Sequence, residues 1–173
     1  AVGDPSPGVT FADFHYNADE LLLCSAGWLE TTPPGGPVAD TNNAALRVLL
    51  FDDTTREGVG WQHVIPDGAT SFTITIVSRA ETAPAGTRQV GTQLAVRQVP
   101  DNAIVQTPFA QLNTVDIDLP TNEFFQYDQF AFTLAFFGLT AGELTQWQFA
   151  RDTAAGTNLT GDWVVVEVRH QYS

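Results

Sequence analysis

A strict alternation of side chains in residues 71–78 constrains the fold more than any other feature of the sequence. Phe72, Ile74 and Ile76 fall on one face of this segment, and Thr73 and Thr75 fall on the other. Successive side chains of a β-strand point to opposite faces, so a period of two predicts a strand with one buried side. β-branched and aromatic residues favour the same conformation.

Shorter segments of similar character recur along the chain, and Pro, Gly, Asp and Asn separate them. Strands are predicted near residues 20–24, 45–50, 59–65, 89–98, 115–119, 124–137, 145–149 and 164–169. In the last of these, Val164, Val166 and Val168 alternate with Val165, Glu167 and Arg169. No long segment has helical periodicity. Regularly spaced short strands predict an all-β fold, an antiparallel β-sandwich of the jelly-roll type.

The N-terminal region differs in composition from the rest. Gly3, Pro5, Pro7 and Gly8 indicate an extended N-terminal arm over residues 1–20. Residues 21–173 then form a single sandwich domain, with a long Pro/Gly-rich loop predicted at residues 31–43. The candidate interface with a partner or a further subunit consists of large aromatic side chains near the start of the chain: Phe11, Phe14, Tyr16 and Trp28.

The charge of the chain limits its partners. Twenty acidic residues oppose seven arginines, for a formal net charge of −13, and the arginines are scattered along the sequence. Proteins that bind nucleic acid or anionic membranes need a clustered positive surface. We therefore expect no direct nucleic-acid binding. No apolar run reaches the length of about 20 residues that a membrane helix needs, so no membrane partner is expected.

The sequence carries no recognisable catalytic motif. Cys24 is the only cysteine, which excludes an intrachain disulfide, and its apolar neighbours predict a buried, inert thiol. His15, His63 and His170 are far apart and are interpreted as structural or surface residues. A nucleophile elbow and a phosphate-binding loop are both absent. We expect a protein that is not an enzyme and has no cofactor or metal.

Acidic residues are the possible exception to this lack of catalytic or metal-binding groups. Asp52, Asp53 and Glu57 fall in one turn, and Asp116 and Asp118 share one face of a strand. Paired carboxylates can serve glycoside hydrolysis or bind Ca²⁺. Asp-rich turns are also ordinary turn chemistry, and the spacing of a Ca²⁺ loop is missing. The turn interpretation is favoured.

Sugar binding remains open because exposed aromatic side chains can stack on sugar rings. The candidates are Trp28, Trp61, Trp147 and Trp163. The competing interpretation is that at least Trp147 and Trp163 lie in strands and fill the core, and this interpretation is favoured.

Several turn and strand segments carry a family resemblance. They are NAALRV (43–48), FDDTTREGVG (51–60), SRAETAP (78–84), VPDNA (99–103), LPTNE (119–123), FQYD (125–128), GLTAGELTQ (138–146) and LTGDW (159–163). These resemble a group of jelly-roll virion structural proteins of tailed bacteriophages. The resemblance implies a capsid decoration, or cement, protein on the outer capsid surface. Its implied partners are the major capsid protein and, as a homotrimer, two further copies of the chain.

Two other functions remain as alternatives. The first is a tail or neck fibre component that binds sugars on the host surface. The second is a cellular carbohydrate-binding module. Exposed aromatic residues beside carboxylates at loop tips would favour sugar binding over capsid decoration.

Overall fold

The computed structural model describes residues 12–23, 32–99, 110–154 and 158–173, with only the backbone described at 110–114. The fold is a jelly-roll β-sandwich of two antiparallel sheets, as the sequence predicts. The described residues contain no helical segment with the length and hydropathy that a membrane span requires.

Eleven strands are present in the described part of the chain. Their bounds are β1 Ala12–Asn17, β2 Leu22–Leu23, β3 Gly35–Ala39, β4 Arg47–Phe51, β5 Gly58–Val64, β6 Ser71–Ala80, β7 Gln89–Val99, β8 Ala110–Asp118, β9 Gln126–Thr133, β10 Leu144–Arg151 and β11 Trp163–Tyr172. A single 3₁₀ turn, Ala135–Phe137, follows β9.

The strands form two sheets, named here A and B. Sheet A has the order β3-β4-β11-β6-β9, and β1 also pairs with β11. Sheet B has the order β2-β5-β10-β7-β8. Each sheet buries one face against the other, which is the usual way for a sandwich to remove apolar side chains from water.

The core between the sheets is strongly aromatic. Trp61, Trp147 and Trp163 are almost completely buried, together with Phe72 and Phe149. The prediction that Trp147 and Trp163 fill the core is confirmed. Trp61 joins them, so these three indoles cannot stack on a ligand, and Trp28 lies outside the described residues.

The structure differs from the predicted arm and loop at the N-terminal side. Residues 12–17 of the predicted arm form β1, which pairs with β11 from Ala12↔Tyr172 to Asn17↔Glu167. Phe14 and Tyr16 pack inward, which gives this short segment a half-buried strand pattern. Five residues of the predicted 31–43 loop form β3, an edge strand, and Pro37 falls within a register shift of its ladder with β4, a position that tolerates proline.

The last strand contains an irregularity that the sequence pattern hides. The register of β11 against β6 shifts between Val165 and Glu167, which marks a β-bulge. Before the bulge Val165 faces the core, and after it Val168 does. The predicted alternation, with Val164, Val166 and Val168 on one face, is therefore wrong because the bulge adds one residue to the strand.

Candidate functional site

A groove lies on the outer face of sheet A, where two loops meet. Residues 40–46 connect β3 to β4, and residues 119–125 connect β8 to β9. The Nδ2 atom of Asn42 donates a 2.7 Å hydrogen bond to Oε2 of Glu123, which joins the two loops. The groove has a volume of about 620 Å³, within the range of small-ligand sites. Its lining comprises Asp40, Asn42, Asn43, Leu46, Arg79, Glu123, Phe124 and Phe125.

Arg79 anchors the floor of this groove. It belongs to β6, and because the core-facing residues of β6 alternate with it, its side chain lies on the outer face of the sheet. The side chain is nevertheless almost completely buried there. Its guanidinium donates to Asp40 Oδ1 and, at 3.1 Å, to Thr41 Oγ1. It also donates to the carbonyls of Ala80 and Glu81, at 2.7 and 2.9 Å. A single buried cation thus holds the loop after β3 against the end of β6.

The two carboxylates of the groove also cap backbone groups. Asp40 Oδ2 accepts the backbone N–H groups of Asn42 at 3.2 Å and Asn43 at 3.0 Å. Glu123 Oε1 accepts the N–H of Ala83 at 3.2 Å. The hydrogen bonds from Asn42 and Ala83 lower the pKa of Glu123. Glu123 is therefore ionised at neutral pH, and the groove carries fixed acceptor oxygens.

Aromatic side chains form the mouth of the groove. The Phe124 side chain is 72% exposed, the highest exposure of any large hydrophobic residue in the described part of the chain. Its backbone N–H donates to Asn122 Oδ1 at 3.1 Å, which holds the turn that presents the ring. The next residue, Phe125, lies with its ring centroid 5.4 Å from the guanidinium carbon of Arg79. The groove therefore combines an exposed aromatic face with a rigid set of polar groups.

The predicted interface residues are only partly within the described structure. Phe14 stacks on His63, with ring centroids 4.3 Å apart, and the Tyr16 hydroxyl lies 2.8 Å from His63 Nδ1. Both side chains thus line the inner face of β1, away from the groove. Phe11 and Trp28 lie outside the described residues, as does Cys24. A role of these four aromatic residues in a subunit or capsid interface stays a prediction.

The histidines separate into a buried pair and a surface residue. His63 and His170 are buried and meet in the core, although the sequence places them far apart. His15 is exposed, 2.9 Å from Asp13 and 2.6 Å from Glu167. These two carboxylates raise the pKa of His15 through hydrogen bonds. No group of three or more metal-binding side chains assembles within the described ranges.

The acidic turn after β4 behaves as the favoured turn interpretation predicts. Asp52 Oδ1 accepts the backbone N–H groups of Thr54 and Thr55, at 2.7 and 3.0 Å. Asp53 Oδ2 accepts the N–H of Gly161 at 2.7 Å, and Glu57 Oε2 accepts that of Asp52 at the same distance. These carboxylates serve as backbone caps that connect loops.

Comparison with known proteins gives matches at the level of structure. No protein-family model matches the sequence, and no curated protein is significantly similar to it in sequence. The fold is similar to the carbohydrate-binding module CBM35 from Cellvibrio japonicus Abf62, with 10% identity, 92% of each chain covered and a TM-score of 0.52. At this low identity, the structural similarity shows a shared fold alone.

Parts of two larger enzymes have a similar fold. One is the isomalto-dextranase of Arthrobacter globiformis T6, complexed with panose, with 10% identity and a TM-score of 0.50 over 91% of this chain and 23% of that one. The other is the family GH115 4-O-methyl-α-glucuronidase BtGH115A, with 7% identity and a TM-score of 0.51 over 91% of this chain and 17% of that one. The chain thus spans less than a quarter of either enzyme.

Sequence reasoning missed the groove because its residues are distant along the chain and individually ordinary. One signal was present. Phe124 and Phe125 are adjacent, and a strand with a period of two cannot bury both side chains on the same face. At least one of two consecutive aromatic residues at the start of a strand must therefore face outward or lie in a turn.

Proposed function

We propose that this chain is a carbohydrate-binding module and that neutral sugars bind in the groove on sheet A. The observation that carries the proposal is the exposed Phe124 ring beside the fixed oxygens of Glu123. A sugar ring has an apolar C–H face and a rim of hydroxyl groups. Phe124 suits the first, and the carboxylate and amide groups of the groove suit the second.

The rigidity of the groove supports binding. Each polar group is already fixed by a hydrogen bond or ion pair, as between Arg79 and Asp40 or between Asn42 and Glu123. A preorganised site loses less conformational entropy when a ligand binds. The similarity to CBM35 adds support from the fold, because the same architecture carries a carbohydrate-binding module in that protein.

The charge of the groove supports a neutral ligand. Asp40 and Glu123 provide two negative charges against the single positive charge of Arg79, in a chain with a net charge of −13. Uronate and sulfate groups would meet repulsion here. Neutral glycans avoid this cost, and their hydroxyl groups can donate to the Glu123 carboxylate.

The groove also supports binding without catalysis. A glycoside hydrolase of the common type uses a carboxylic acid whose pKa is raised, so that the group is protonated before it donates. The pKa of Glu123 is lowered by its hydrogen bonds, and Asp40 is paired with buried Arg79. Glu123 is therefore not suited to act as a general acid at neutral pH, and the Asp40 side chain is almost completely buried.

Capsid decoration, the function that the sequence resemblance implies, gains no support from these fold comparisons and stays a prediction. The two functions lead to different observations. A decoration protein would be found on purified phage heads, whereas sugar binding requires no virion. A tail or neck fibre protein that binds host sugars would share the groove chemistry proposed here.

A glycan array followed by titration calorimetry tests the proposal. We expect binding to a neutral glycan, and we expect Phe124→Ala to weaken it by about tenfold or more, equivalent to about 1.4 kcal/mol. Phe136→Ala is the matched control, because Phe136 is also a largely exposed phenylalanine but follows the opposite end of β9. Equal affinities of the two variants would reject the groove, and an array without any neutral ligand would reject sugar binding.

A further inference from the structure

The outer face of sheet A continues from the groove as an ordered polar surface. Tyr127 of β9 pairs with Val77 of β6, and Val77 pairs with Glu167 of β11. Directly paired residues of antiparallel strands point to the same side of a sheet, so these three side chains form one row. Gln129, Thr75 and Arg169 form the next row in the same way. Arg79 belongs to this same face, two residues after Val77 on β6.

Tyr127 repeats the arrangement that Phe125 shows in the groove. The guanidinium carbon of Arg169 lies 5.1 Å from the centroid of the Tyr127 ring. Arg169 is fixed by Glu167 through Nε–Oε1 and Nη2–Oε2 contacts of 3.0 and 3.2 Å. One side of the ring therefore rests on a held cation, in the manner of a cation–π pair. The Tyr127 side chain nevertheless remains 60% exposed.

The exposed rings of Phe124 and Tyr127 are two separate surfaces on which a sugar can stack. Phe124 lies in the loop before β9 and Tyr127 is the second residue of β9, so their Cα atoms are at most about 10 Å apart, the span of three extended residues. One pyranose ring stacks on one aromatic ring, so a monosaccharide on Phe124 leaves the Tyr127 ring uncovered. A chain of linked sugars can contact both rings.

We infer that Tyr127 and the adjoining row of sheet A form a second sugar-binding subsite, so that the ligand is an extended neutral glycan chain rather than a single sugar. This inference rests on the proposed function of the groove. It specifies an extended chain as the ligand class, and it places that chain along a path from Phe124 across β9 towards β11.

The chemistry of the row favours a glycan over a protein partner. The cores of protein interfaces are depleted in acidic residues, whereas this surface displays Glu167 and Gln129 beside one aromatic ring. The charges of Arg169 and Glu167 neutralise each other, and His15 contacts the same carboxylate. A neutral ligand rich in hydroxyl groups meets hydrogen-bonding side chains here without an unpaired charge.

Oligosaccharides of increasing length provide the test. The probes are cello-, xylo-, manno- and isomalto-oligosaccharides, each from the parent monosaccharide to the hexasaccharide, titrated against wild type, Phe124→Ala, Tyr127→Ala and Tyr127→Phe. We expect wild-type affinity to rise with length for at least one series. Tyr127→Ala should remove about tenfold of this gain in affinity while it leaves the affinity for the monosaccharide unchanged. Tyr127→Phe should retain the rise, because the ring is kept.

The possible results separate the second subsite from the first. If Tyr127→Ala matches wild type at every length while Phe124→Ala is weakened, the groove stands and the second subsite is rejected. If Tyr127→Ala weakens the shortest ligand as strongly as the longest, Tyr127 belongs to the first subsite and the inference is also rejected. Absence of binding to all four series would overturn the extended-glycan ligand, and the glycan array decides separately whether the groove binds any other sugar.

Discussion

The imidazole rings of His63 and His170 meet edge to face inside the core, with centroids 4.7 Å apart. His63 comes from β5 of sheet B and His170 from β11 of sheet A, so the pair bridges the two sheets. His63 lies between two tyrosine hydroxyls, 2.8 Å from that of Tyr16 and 2.6 Å from that of Tyr172. The Trp61 indole donates to His170 Nδ1 at 3.1 Å, so this nitrogen carries no proton.

Because His63 and His170 are buried together, we expect the fold to lose stability in mild acid. Burial lowers the pKa of His63 to about 4 and holds the pKa of His170 well below its usual value. Below pH of about 6.5 the unfolded chain binds protons that the folded chain excludes, so acid favours unfolding. We expect the free energy of unfolding to fall by about 1.4 kcal/mol per pH unit for each histidine, between about pH 6 and pH 5. Urea unfolding at several pH values measures this change in the free energy of unfolding.

His15 supplies the control for this pH dependence. Its pKa is raised by Asp13 and Glu167, so its contribution to stability is present below pH of about 6.5 and lost as the pH rises through its folded pKa. The variant His15→Gln should therefore keep the acid-induced loss and show less change above that pH. A free energy of unfolding that stays constant from pH 7 to pH 5 would contradict the role of the buried pair.

We expect substitution of Arg79 to lower the free energy of unfolding much more than substitution of Arg47. Arg79→Met would leave the buried Asp40 carboxylate without its cation, which costs about 3–5 kcal/mol of unfolding free energy. Arg47→Met is the matched control, because Arg47 and Asp19 form a half-exposed pair worth about 0–1 kcal/mol. Denaturant titration of both variants measures the difference. Equal stabilities would show that the Arg79 pair does not hold the floor of the groove.

Most of the sandwich could be predicted from the sequence because burial repeats with the strand period. The alternation over residues 71–78 matches β6, whose Phe72, Ile74 and Ile76 face the core. The groove could not be predicted in the same way. Its residues come from loops and from Arg79, and their proximity depends on pairings between distant strands. Local pattern carries information about the face of a strand and almost none about which loops meet.

The bulge in β11 shows where local pattern fails even within a strand, and it gives a test. Val165 is completely buried and Val166 is only half-buried. Val165→Thr should cost about 1–3 kcal/mol of unfolding free energy, because its hydroxyl would be placed among apolar core residues. Val166→Thr should change the stability much less, and thermal unfolding of the two variants compares them. A larger effect at Val166 would restore the simple alternation and reject the bulge.

We expect one added methyl group at Gly36, in the edge strand β3, to lower the stability of the fold. Its φ angle is +105°, and a Cβ atom at this position would lie 2.7 Å from the backbone oxygen of Val48. Since backbone atoms of the paired strand cannot move aside easily, we expect Gly36→Ala to destabilise the fold by about 1–3 kcal/mol.

Gly86→Ala is the appropriate comparison, because a Cβ at Gly86 meets nothing within 4 Å and the residue lies in an open loop. This change should leave stability unaltered or raise it slightly, by restricting the unfolded chain. Because β3 leads directly into the loop of Asp40 and Asn42, Gly36→Ala should also weaken sugar binding in the groove, whereas Gly86→Ala should not. Denaturant titration and calorimetry on both variants measure the two effects, and an unchanged Gly36→Ala protein would contradict the close pairing of β3 with β4.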